Sequence, residues 1–494
     1  MSSGKHSKLA EIHFVVSTGT EKVDPELRKF IRSHVMQGKN KGKKLPPRVR
    51  KPKVASAVSV TSADDAESRR QQRPNGFQLY DIQVVLQRNR FSPATCFPYA
   101  DKLVEPRSVE VVFQFSTIAK AILFPLEPCI FFESRAEHWV GPLGMDPAFL
   151  HAMIYSAQTF FDSQASPTGG VVISSPSKKA LPHLIKTIEL LRERFGDGAD
   201  EEARKSLTTV STITSLAALA HAAGDEASAR NHLQGLYKIV ELRGGLDTFQ
   251  GSEKLFVEVL RCDIGIALFH GSKTLFFAKD GDHPQPPNLN GLVPLKGMSN
   301  NKVPSCIKNK ELAGIWKTLR DFSALANYAA AANKLFSMRI YANFMNSTIY
   351  PLMKMDFGDS VDEVIRLALL AYSASVFLQW KKMTHCKAGP YPYLAELLRN
   401  ALRRMGDEIE PDLRLWLIMV GSVAVLDVSG EDEEWIGDTI REHMALCGLP
   451  EWGELRRMME GIMWVGLVHD GLARQVMQGV ARRIWTAGCN ETLL

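Results

Sequence analysis

The sequence predicts an all-α protein, on three observations. Every long periodic segment beyond about residue 77 repeats its apolar residues three and four apart, the spacing of one helix face. None alternates over many residues as a half-buried strand would. Helix-ending and helix-starting residues stand between the segments: Pro125, Asp146-Pro147, Gly224-Asp225 and Gly244-Gly245. The expected architecture is a large multi-helix regulatory domain of antiparallel helical hairpins over 77–494, preceded by a basic, largely disordered arm and linker over 1–76.

Composition agrees with such a body. The chain has 494 residues, 45% hydrophobic and 23% charged, a balance that can bury a full core. The net charge of +6 is unevenly spread, because residues 1–63 carry fourteen Lys or Arg against four acids. An acidic partner is therefore expected at the arm and not at the body.

Taken in order, EIHFVV at 11–16 alternates weakly and fits a short strand or an anchoring segment. From Pro25 to Met36, Leu27, Phe30, Ile31 and Val35 recur at helical spacing opposite Arg28, Lys29 and Arg32, a short basic amphipathic helix. Next come Lys39, Lys41, Lys43, Lys44, Arg48, Arg50, Lys51 and Lys53, eight bases in a stretch with no acid between Glu26 and Asp64. With Pro and Gly among them they cannot fold alone. Residues 54–75 are small and polar and form a linker, so the body is expected to begin near Phe77.

In the body, Val109, Val112, Phe113, Ile118 and Ile122 share a helix face that Pro125 ends. Asp146 is placed to cap the next helix, with Pro147 at its first position and Phe149, Met153 and Phe160 among its apolar residues. A Ser, Pro and Gly rich loop at 163–179 leads to a helix at 181–195. Leu207, Val210, Ile213, Ala217 and Ala220 then line one face of a packing helix, which Gly224 ends in a left-handed conformation. Asp225 caps its successor, where Ala229, Leu233, Leu236 and Val240 face inward and Arg230, Gln234, Lys238 and Glu241 face water. Gly244 and Gly245 stop that helix, and a third, from about Ser252 to His270, lies against the hairpin.

Within this third helix Asp263 falls in line with Phe256, Leu260 and Ala267. An acid on an apolar face is seldom buried alone, so it is expected to pair with Arg243 or Arg261. The stretch 280–310, with five prolines, reads as a long loop. Helical patterns follow at 311–347, broken once, at 360–383 and at 391–405. LRLWLIMVGSVAVLDV at 413–428 is too short to span a bilayer and carries Arg414 and Asp427, so it is a buried core helix and no membrane is involved. EDEE at 431–434 reads as the negative first turn of another helix, facing its dipole.

The wording of the central motif, GDEASARNHLQGLYKIVELRGGL from Gly224 to Leu246 followed by Asp263 in LRCDIGIAL, resembles the fungal-specific transcription factor domain. Gly224, Asp225, Arg243, Gly244, Gly245 and Asp263 carry the likeness. Further likenesses follow in series: the Asp146-Pro147-Ala148 helix start, LRLWLIMVGSVA, Trp435, Gly448-Leu449-Pro450 with Trp452, and MEGIMWVGLVHD. Together they span roughly 95–485. HFVVSTG and IRSHVMQGKNKGKK resemble the N-terminal signature of fungal regulator-like proteins that lack a zinc cluster. The resemblance implies a nuclear transcriptional regulator whose helical body senses an effector or a partner.

The cysteines at 96, 129, 262, 306, 386, 447 and 489 are too widely spaced for a zinc cluster and fit reduced thiols. Sequence-specific DNA reading is thereby placed in doubt. GIALFHGSKT at 265–274 resembles a phosphate-binding loop but has the wrong glycine spacing and follows a helix. Asp280, Asp282 and His283 form an acidic turn that is more simply a solvated loop. His151, His232 and His270 sit in helical patterns and read as packed or surface residues. No cofactor, metal or catalytic constellation is expected, so the chain does not read as an enzyme.

The exposed functional candidates are then the eight bases from Lys39 to Lys53, which attract phosphates and fit an import signal. The expected partners are DNA contacted through that arm, a nuclear import receptor, protein partners including a second copy as a homodimer, and an unidentified small-molecule effector. The alternative is a helical interaction scaffold with no role at DNA.

Overall fold

Central to the architecture is a helix buried on nearly every side. Residues 257 and 259–268 are all covered, in a segment that the sequence shows to be apolar almost all round. The structure is a computed structural model describing residues 103–131, 141–164, 177–277, 286–287, 303–378, 391–406, 408–428, 430 and 432–490. The expected strand at 11–16, the basic helix at 25–36, the bases from Lys39 to Lys53, the linker and the boundary near residue 77 lie outside the described residues. So does most of the 280–310 loop.

The described residues form an all-helical array. Helix α1 (Pro106–Leu123) and the short α2 (Gly141–Met145) pack on α3 (Pro147–Gln164), and α4 (Leu181–Phe195) lies along α3. After α5 (Glu201–Lys205) come α6 (Leu207–Ala223) and α7 (Glu226–Arg243), the expected hairpin, with α8 (Glu253–His270) laid against it. Then follow α9 (Lys310–Ala332), α10 (Met338–Lys354), α11 (Val361–Ser373) and α12 (Pro392–Arg404). The series ends with α13 (Pro411–Ala424), α14 (Glu433–Leu446), α15 (Trp452–Ile462) and α16 (Gly466–Asn490).

The boundaries follow local chemistry. Asp146 Oδ1 accepts from the amides of Ala148 and Phe149 at 3.0 and 3.2 Å, capping α3 as its position before Pro147 predicts. Gly224, at φ 76°, takes the left-handed turn that ends α6, and Asp225 caps α7 by accepting from the Ser228 amide at 3.0 Å. Ala229, Leu233, Leu236 and Val240 are buried, while Arg230, Gln234, Lys238 and Glu241 are exposed. The pattern at 311–347 breaks at Asn333, whose φ of 49° ends α9.

Two features are not legible as periodicity. Strands β1 (Ile130–Phe131) and β2 (Phe336–Ser337) pair in parallel, two residues each. The pattern at 360–383 is α-helical only to Ser373 and continues as a π-turn over Ala374–Leu378.

The main core runs from α6 through α16 and is built on large side chains. Trp316 of α9 meets Trp416 of α13 edge to face at 5.1 Å, and both are buried. The Trp416 indole donates to the Met463 carbonyl and the Trp464 indole to Asp470, whereas the buried Trp316 indole N–H has no hydrogen-bond partner among the described residues. A smaller cluster of Val109, Val112, Leu143, Phe149, Leu150, Ile154 and Ala157 joins α1, α2 and α3.

Candidate functional site

Helix α8 carries two buried charged residues two positions apart, Arg261 and Asp263. At 100° per residue they point to opposite sides. Each organises a different surface.

The Arg261 guanidinium donates from Nε to the Phe377 carbonyl at 2.8 Å, from Nη2 to the Tyr341 hydroxyl at 2.8 Å and from Nη1 to Glu258 at 2.9 Å. It lies 4.6 Å from the Phe124 ring centroid and 5.5 Å from that of Tyr341, an aromatic slot for a cation. The Tyr341 hydroxyl donates in turn to the Phe377 carbonyl at 2.9 Å. The π-turn is thereby tied to α8 and α10, because its Phe377 carbonyl receives two side-chain donors.

Beside this node a recess opens, lined among others by Phe124, Leu126, Lys254, Glu258, Met338 and Tyr341. Its cavity volume is about 20 Å³, room for roughly one water and far below small-molecule sites. Its lining is apolar apart from Lys254, Glu127, Glu258 and Arg261, and the Arg261 donors are already taken by Glu258, Tyr341 and the Phe377 carbonyl.

On the other side, Asp263 is 1% exposed and accepts three bonds. Its Oδ1 takes the Leu275 amide at 2.7 Å, and its Oδ2 takes the Phe276 amide at 3.1 Å and the Tyr350 hydroxyl at 3.0 Å. Burial pushes its carboxyl up to about 7, against the opposing pull of those three donors. The same burial, with Asp263 adjacent, holds the Tyr350 hydroxyl well above its ordinary value.

The expectation that Asp263 pairs with Arg243 or Arg261 is therefore corrected. Arg261 is turned to the recess, and Arg243 donates to the Lys205 carbonyl and lies 5.8 Å from the Phe249 ring. The carboxylate is satisfied by amides and a phenol instead of by a cation. The remaining motif residues serve the hairpin: Gly224 and Gly244 are left-handed helix ends, Gly245 follows at φ 89°, and Asp225 is a cap.

The acidic run 431–434 opens α14 as read, with Glu433 and Glu434 in its first turn, and Asp432 does more. Asp432 is 1% exposed and takes Arg399 Nε on both oxygens at 2.7 Å and Arg403 Nη2 at 3.2 Å, so it bridges to α12 instead of only facing a dipole. His151 and His183 meet Nδ1 to Nδ1 at 2.9 Å between α3 and α4, both buried. His270 lies 3.6 Å from Glu226, and burial holds His232 below its ordinary value.

Sequence reading missed Glu258, Tyr341 and Tyr350 as partners. The one available signal was Arg261 itself, a base inside an apolar run. Among the described residues no three His, Cys, Asp or Glu side chains gather as a metal set, and no helix is long and apolar enough to cross a membrane. Cys129 and Cys262 are buried thiols, and Cys306 and Cys447 are half-buried ones. Comparison with family models, curated proteins and solved structures returns no match to this chain.

Proposed function

We propose that this protein is a nuclear transcriptional regulator of the fungal type without a zinc cluster, in which the helical body senses an effector or partner and the basic arm serves import and non-specific DNA contact. The observation that carries the reading is the run of eight Lys and Arg from Lys39 to Lys53, in a segment free of acid from residue 27 to residue 63. Such a run neutralises phosphates and releases their counterions without reading bases. No aromatic residue interrupts it, so it offers no stacking platform for single strands.

The test is salt-dependent binding to duplex DNA. Up to eight phosphate contacts give a slope of log affinity against log salt no steeper than about −7. Replacing Lys43, Lys44, Arg50 and Lys51 by Ala should flatten that slope, with equal affinity for unrelated sequences before and after. Absence of any salt-dependent binding at low ionic strength would favour a helical scaffold with no role at DNA.

A further inference from the structure

The turn after α8 is held in an uncommon conformation. Phe277 has a φ of 51°, one of two non-glycine residues described with positive φ. Its ring nonetheless stays against Tyr350, edge to face at 4.8 Å, while Phe276 packs on Tyr237 at 5.3 Å. The amides of Leu275 and Phe276, the two residues before it, both point at one carboxylate twelve and thirteen residues back in the chain. Three donors converge on Asp263, of which only the Tyr350 hydroxyl can also accept.

We infer that the Asp263 carboxylate is a proton-sensitive latch that holds the Leu275–Phe277 turn against α8 and α10, and that neutralising it loosens the turn. A protonated carboxyl has one oxygen that must itself donate, and among its described partners only the Tyr350 hydroxyl can accept, so that bond would have to reverse. A neutral carboxyl is also a weaker acceptor than a carboxylate, so the Leu275 and Phe276 amide bonds lose their charge assistance. The strained turn then loses its restraint. Burial supports the idea that the event falls near neutral pH, since it raises the carboxyl to about 7.

The surrounding titratable groups leave the role to Asp263. Tyr350 of α10 donates to it. Cys262, beside it on α8, turns its thiol to the Thr214 carbonyl of α6, and burial raises that thiol further. Tyr237 of α7 meets Phe276, and Tyr393 of α12 lies beyond Gly271. Arg261 and Glu258 are engaged with each other at the recess on the other side of the helix. This inference does not depend on what the arm does.

Amide hydrogen exchange on the full chain tests it. After correction for intrinsic rates, and against core amides of α13 as reference, protection at Leu275 and Phe276 should fall about tenfold or more between pH 8.5 and 5.5. Asp263→Asn should show the low protection at every pH. Tyr350→Phe, which removes one donor from the carboxylate, should move the loss of protection to higher pH and keeps the test open if the Asn variant fails to fold. Protection at these two amides that does not change with pH in the natural protein would overturn the proposal. So would a transition in Tyr350→Phe that does not move.

Discussion

Arg261→Ala is the perturbation whose cost is best fixed by the structure. The side chain is 5% exposed and ties α8 to α10 through Tyr341 and to the π-turn through the Phe377 carbonyl. Its truncation removes two bonds from a charged donor to buried neutral partners, worth roughly 1.5 kcal/mol or more each. Packing between Phe124 and Tyr341 adds about 1–2 kcal/mol. The third partner counts for less, because Glu258 is 30% exposed and can return to water, and the Phe377 carbonyl keeps the Tyr341 hydroxyl. The expected total is about 4–5 kcal/mol, comparable to the loss when a buried ion pair is broken. Arg261→Met, which keeps most of the volume, should cost about half as much. Urea denaturation followed by the helical circular dichroism signal measures both, and in a Tyr341→Phe background the Ala cost should shrink by about 1 kcal/mol. A loss under about 1 kcal/mol for Arg261→Ala would refute the reasoning.

Other expectations follow from individual sites. Asp225→Ala should cost about 1 kcal/mol by removing the α7 cap, read in the same denaturation assay. Gly271→Ala should cost at least ~1–2 kcal/mol, because φ there is 66° and an added Cβ would stand 2.5 Å from the Tyr393 ring; a thermal midpoint equal to the natural protein's would contradict this. The Asp263 carboxyl lies at about 7 in the folded chain, above its unfolded value of roughly 3.9, so its contribution to global stability is complete below the unfolded value and lost as pH rises through 7. Stability should therefore decline more steeply from pH 5 to 8 in the natural protein than in Asp263→Asn. Sparing the folded core an ion and loosening one turn are compatible effects of the same proton. Elemental analysis after dialysis should find zinc well below one equivalent per chain, as the cysteine spacing predicts.

What was legible in the sequence is what is set within a few residues. Asp146, Gly224, Asp225 and Gly244 act on amides and carbonyls of their own turn, so residue type and position suffice. The faces of α6 and α7 were legible because periodicity alone decides them. Partners across the fold were not. That Asp263 is buried followed from its alignment with Leu260 and Ala267, but its donors stand 12, 13 and 87 residues away. Asp432 likewise finds arginines 33 and 29 residues earlier. An apolar face tells a charge that it needs a partner and not which one, since amides and phenols compete with guanidinium groups for the same oxygens. The π-turn was missed for a related reason: its sequence keeps helical periodicity, and the donors on its Phe377 carbonyl, Arg261 and Tyr341, come from other helices.

The measurement that bears most directly on the proposed role is the location of the protein in a fungal cell. A fluorescent fusion of the full chain should concentrate in the nucleus, and replacement of Lys43, Lys44, Arg50 and Lys51 by Ala should abolish that enrichment while the purified variant keeps its helical signal. An even distribution of the natural chain, or nuclear enrichment that survives the four substitutions, would contradict the assignment of import to the arm.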